Sequence, residues 1–224
     1  MSNELEFKYE VEIKTSEKKQ LLPKEVKEQL ENYINVIRSP KGIEQLKQLL
    51  DQHITLPDIN INQQHRWDFI KRLAILGDEK TSDYFSNEKI SDNTDAGRLS
   101  AIAVEASLAD ESTKRKWLSL FMQQQNPLPL SHQRVAMASL FPPNQTALQE
   151  ILLPPMLDAL EEMYKTRDNY YQRSYAQDLF AGVCSVNGLS LMQTALDKNK
   201  IGTTLYKFLS ENVQSTQECI KTKQ

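Results

Sequence analysis

Three histidines are among the scarcest of the side chains that could do chemistry in this sequence: His53, His65 and His132. A zinc protease places two histidines one helical turn apart with a glutamate between them as general base. None of the three has such a partner at i+4, so each is expected at a surface or a helix terminus. The two cysteines, Cys184 and Cys219, lie far apart in no metal-like spacing and are expected to be two separate, at least partly buried thiols. Neither has a basic neighbour in sequence, and no Gly-x-Ser-x-Gly elbow is present, so nucleophilic catalysis has no signal. Six scattered glycines cannot form a phosphate-cradling loop. Acidic pairs such as Glu161-Glu162 read as solvated helix faces rather than acid/base dyads. Arg66, Arg72, Arg134 and Arg173 sit in partly apolar helices, where they are expected to be salt-bridged or stem-packed; a concave helical surface could use one to hold a carboxylate. The tyrosines Tyr170, Tyr171 and Tyr175 fall at helical spacing, which favours packing over a binding surface. No catalytic, cofactor-binding or metal-ligating residue is therefore assigned.

The elements that carry these residues read as helices. The stretch with the clearest start, face and stop spans residues 54–77, a loop feeding a helix. Asn62 is expected to cap that helix, Trp67, Ile70, Leu73, Ala74 and Leu76 supply a stripe at spacings of three and four, and Gly77 ends it. Before it, Pro23 opens a helix through Leu30, Tyr33, Ile34 and Ile37. A second helix over 42–52 pairs with the first as an antiparallel hairpin. Residues 78–94 read as a polar stretch. Helices follow over 96–108 and through Trp117 and Phe121, the latter capped by Asp110 or Ser112. Two prolines hold 126–130 extended; Ser131 restarts a helix and Asn144 caps the next. Pro154-Pro155 is expected to break or kink the chain. Helices over 156–164, 167–183, 190–198 and 203–220 complete it, with a turn at Asn187-Gly188. At the N-terminus, Leu5, Phe7, Tyr9, Val11 and Ile13 alternate with Glu and Lys, a pattern that suits strand and helix equally. Residues 1–21 are thus an extension of undetermined structure, and 22–224 an all-α domain.

Composition limits the function classes. With 224 residues and a net charge of −3, the chain has ample length for a core and no electrostatic footprint for nucleic acid. Nowhere do eighteen apolar residues run together, so no membrane partner is expected, and two separate thiols point to a reducing, cytoplasmic setting.

Several motifs resemble a known family. These are the 42–51 run GIEQLKQLLD, the 56–62 loop LPDININ, and Arg66-Trp67 with Arg72-Leu73-Ala74 and Gly77. They are followed in order by Asn126-Pro127-Leu128, Leu140-Phe141-Pro142, Leu152-Leu153-Pro154 and Arg173-Ser174. Together, over roughly residues 22–220, they resemble the C-terminal helical domain of bacterial aminopeptidase N, of the gluzincin zinc aminopeptidases. The resemblance implies an α-solenoid of HEAT-like helix pairs that closes over a catalytic domain and bounds the peptide chamber. It implies that zinc, the His-Glu-x-x-His site and the amine-gripping Gly-x-Met-Glu-Asn loop belong to a catalytic domain outside this sequence, since none of these motifs occurs here. The chain alone is then expected to be inactive, with that catalytic domain and peptide substrates at its concave face as partners. The alternative is a free-standing HEAT-like protein–protein interaction module.

Overall fold

A computed structural model describes residues 23–55, 60–198 and 200–223. The strand-or-helix question at residues 4–14, the extension 1–21 and loop residues 56–59 lie outside the described residues. Twelve α-helices are found among the described residues, with no strand, so the chain is an all-α helical array. The described residues divide into two compact units, with the boundary between Gly97 and Arg98.

In the N-terminal unit, α1 (Pro23–Val36), α2 (Pro40–Leu50) and α3 (Gln63–Leu76) carry the expected stripes. Leu30, Tyr33, Ile34 and Ile37 are buried, as are Leu46, Leu49 and Leu50. Ser39 caps α2 and Pro40 opens it, where the missing N–H costs nothing. α1 and α2 each pack more extensively on α3 than on one another, so the first hairpin is completed only by the third helix. The expected ends of α3 are in place. The Asn62 Oδ1 accepts from the His65 N–H at 2.9 Å, and the His65 Nδ1 accepts from the Asn62 N–H at 3.2 Å. Gly77 takes the left-handed conformation, φ 71°, that closes the helix without a Cβ clash. Residues 78–94 correct the polar-stretch expectation, because α4 (Thr81–Ser91) occupies their centre. This helix has no apolar stripe, so periodicity gives no sign of it; polar contacts to α3 and the edge-on packing of Phe85 against Trp67 hold it.

The C-terminal unit contains most of α5 (Asp95–Ser107), then α6 (Glu111–Met122), α7 (Leu130–Ser139), α8 (Thr146–Asp158), α9 (Leu160–Thr166), α10 (Asn169–Leu179), α11 (Val186–Asp197) and α12 (Gly202–Thr222). α10 is central, packing on α7 and α12, while α11 lies on α8 and α12. One apolar cluster runs from Ala106 to Val213 and includes Trp117, Phe121, Met156, Tyr175 and Phe180. Asp110 is the cap of α6, and hydrogen bonds from Ser112 and Thr113 hold its carboxyl down at about 2.

Three local expectations are corrected here. α8 runs through Pro154 and Pro155 instead of breaking there. The prolines and Ile151 are exposed and Glu150 half-exposed, so carbonyls that lose their donors meet water, while buried Leu152, Leu153, Met156 and Leu157 hold the other face. The break comes at Ala159 instead. Asn144 is not the cap of α8; that position is Gln145, whose side chain is used elsewhere. Asn187-Gly188 is not a turn but part of the first turn of α11, where Ser185 Oγ accepts the Gly188 N–H at 3.0 Å.

Candidate functional site

The side chains singled out for possible chemistry are, for the most part, holding helix ends. Arg66 directs its guanidinium at Glu88 with N–O distances of 2.8–3.0 Å and donates to the Leu50 carbonyl at 2.9 Å. Glu88 is also reached by Gln63 Nε2. Next to this pair, the Trp67 indole N–H donates to Asp92 Oδ2 at 2.8 Å, and the Thr94 hydroxyl and N–H donate to Asp92 Oδ1. The Thr94 hydroxyl, then the Trp67 indole, keep the Asp92 carboxyl below the usual carboxylate range. A Cβ on Gly97 would lie 2.5 Å from the Asp92 carboxyl carbon, so only glycine admits the carboxylate there. Arg72 is buried and donates to the Ile37 carbonyl beyond the end of α1. Arg66 and Arg72 are thus both engaged by groups of the protein itself.

The C-terminal unit uses its polar groups in the same way, mostly on carbonyls. A helix leaves its last four carbonyls without intrahelical donors, and a long polar side chain from a neighbouring helix can serve them. Lys114 Nζ donates to Ala106 O at 2.6 Å and Gln145 Nε2 to Ser107 O at 2.8 Å, both at the end of α5. Arg167 donates to the carbonyls of Phe121, Gln123 and Gln124 past the end of α6, with the Tyr171 hydroxyl also on Phe121 O at 2.7 Å. Gln149 serves Leu179 and Ala181, Asn212 serves Ala176, and Tyr175 serves Met156. Arg134 donates to Ser174 Oγ, and Arg173 reaches Gln177 and lies over the Phe208 ring. Tyr171 and Tyr175 are therefore core residues; Tyr170 is exposed.

Among the described residues, Lys114 is the one fully buried amine. Burial drives its pKa down to about 7, against a small opposing pull from Asp110. Sequence reading missed it because a lysine between Thr113 and Arg115 on a charged helix looks solvated.

Concavities among the described residues include two with charged side chains at their walls. A cleft of about 300 Å³ in the C-terminal unit has Leu157, Leu160, Ala195 and Ile201 as its floor and Asp158, Glu161, Lys198 and Lys200 at its rim. It offers an apolar seat with charges of both signs, and Thr194 is the one hydroxyl in its lining. In the N-terminal unit a hollow of about 310 Å³ is lined by Glu31, Asp68, Lys71 and Arg72, where burial raises Asp68 and lowers Lys71. Among the described residues, no group of three or more His, Cys, Asp and Glu side chains could hold a metal ion. His65 completes a helix cap and His132 lies in the first turn of α7. No helix among the described residues is long and apolar enough to cross a membrane.

The cysteines overturn the expectation of two separate thiols. Cys184 and Cys219 form a disulfide, because the loop after α10 and the end of α12 bring their Cα atoms to 5.6 Å. Their spacing of 35 residues carries no trace of that meeting.

No family model matches the chain. Aminopeptidase N of Streptomyces lividans is 26% identical to it over 147 residues, which is 65% of this chain and 17% of that protein. The chain is thus similar to aminopeptidase N and spans less than a fifth of that relative's length.

Proposed function

We propose that this chain is a non-catalytic helical domain of a zinc-dependent, aminopeptidase N-type enzyme, standing at the C-terminal end of the polypeptide and shaping and gating the peptide chamber. The similarity to aminopeptidase N over 147 residues carries the reading. Two features support it. The array is all-helical, and its arginines and buried polar groups are engaged in fixing helix ends, as a rigid chamber wall requires. The cleft beside Leu157 and Ile201 offers a seat for an apolar side chain of a peptide. In this reading the helices stack as a HEAT-like solenoid, and zinc is held by another domain of the same polypeptide.

The test is an assay of the purified chain with added zinc on an aminoacyl-nitroanilide. No hydrolysis above buffer is expected, and a rate well above buffer would sink the proposal. Sequencing the DNA upstream of the codon for Met1 separates it from the interaction-module reading. An in-frame His-Glu-x-x-His supports the aminopeptidase domain; an intergenic gap with a ribosome-binding site supports the free-standing module.

A further inference from the structure

The Cys184–Cys219 bond lies where it holds little of the core. In α12, Leu205, Leu209 and Val213 are buried and anchor the helix to its unit, and Thr216 is the last buried residue. The Thr216 hydroxyl donates to Val183 O at 2.9 Å, one residue before Cys184. From 217 onward every described residue of α12 is half-buried or exposed. The last turn and a half is therefore tied down beyond Thr216 by one covalent link. Both cysteines are themselves half-buried, and so lie within reach of a small thiol. They are the only two cysteines in the chain, so no third thiol competes for the pair.

We propose that Cys184–Cys219 is a redox latch on the C-terminal end of α12. A dithiol reductant opens it by thiol–disulfide exchange. One reductant thiolate attacks a cysteine sulfur, forming a mixed disulfide and releasing the other cysteine as a thiolate that takes up a proton. The second reductant thiol then displaces the remaining cysteine, and the reductant leaves as its own disulfide. Two electrons and two protons pass to the chain, and a disulfide oxidant runs the exchange backwards. Opening releases residues 217–223 while the helix up to Thr216 stays docked on its buried side chains. The latch stands independently of the aminopeptidase reading.

Hydrogen exchange on the full chain, with and without dithiothreitol, tests it, with alkylation and mass measurement to count thiols. Oxidised protein should bind no alkylating group and reduced protein two. Reduction should speed exchange at 217–223 by at least about tenfold, the loss expected when a marginal helix end loses its tether. Amides between Leu205 and Val213 should keep their rates. Cys184→Ser and Cys219→Ser should exchange like the reduced chain and ignore dithiothreitol. Three results would overturn the proposal: two free thiols after mild oxidation, no change at 217–223 on reduction, or loss of protection across the whole 98–224 unit.

Discussion

Both compact units bury apolar side chains between their helices, but they station their polar groups differently. Around α3 in the N-terminal unit, charged and polar pairs sit on the contact surfaces themselves: Arg66 on Glu88, Trp67 on Asp92, Arg72 on a main-chain carbonyl. In the C-terminal unit one continuous apolar cluster fills the interior, and the polar groups are stationed at its edges on helix ends. The two tryptophans show the contrast. Both are almost fully buried, at 2% and 3% exposure. The Trp67 N–H has a carboxylate partner, whereas the Trp117 N–H has no hydrogen-bond partner among the described residues and packs beside Phe121. An apolar interior tolerates changes of shape as long as volume is kept, whereas a polar contact fails when one partner is removed and the other is left buried.

The largest expected effect is common to both units. Trp67→Ala and Trp117→Ala should each cost roughly 3–5 kcal/mol in chemical denaturation. Phenylalanine separates them. Trp117→Phe gives up only volume, but Trp67→Phe also leaves Asp92 short of a donor, so it should be the more costly of the two by about 1–2 kcal/mol. Equal costs would break the contrast. A smaller effect tests the polar side directly. Glu88 is 2% exposed and its partner Arg66 25%, so Glu88→Ala should cost about 3 kcal/mol by leaving a partly buried guanidinium without its carboxylate. Tyr171→Phe removes one hydrogen bond to Phe121 O and should cost about 1 kcal/mol. A further effect is read against pH. Below about pH 7 Lys114 is charged in the folded and the unfolded chain alike. Between about 7 and the ordinary lysine value of 10.5 only the unfolded chain holds the proton. Stability should therefore rise with pH across that window, by up to about 1.4 kcal/mol per unit from this group. Lys114→Met should flatten the rise, as equilibrium unfolding at a series of pH values would show.

Where an element was built on an apolar stripe with a cap, it was legible in the sequence. Asn62, Trp67 and Gly77 mark the start, face and end of α3 through local chemistry that needs no distant partner. α4 was not legible, since Thr81–Ser91 lacks a stripe and owes its place to Glu88 meeting Arg66 across 22 residues of sequence. The proline pair in α8 misled for a related reason. Its local penalty is outweighed by four side chains buried on the opposite face, and burial is a tertiary property. The four arginines were readable as packed or paired groups, but which carbonyl or carboxylate each one serves was not.

Sequence alone determined that this chain is an all-α array and that its tryptophans face inward, and its motifs carry a resemblance to aminopeptidase N. The first two properties follow from residue type and short-range spacing. Only the tertiary structure decided that Cys184 and Cys219 are joined and that Lys114 is buried against Ala106. It likewise decided that the tyrosines and glutamines of the C-terminal unit close helix ends. Each of these is a meeting of groups remote in sequence or turned inward by packing, and helical periodicity fixes which face a residue occupies without fixing what it meets there.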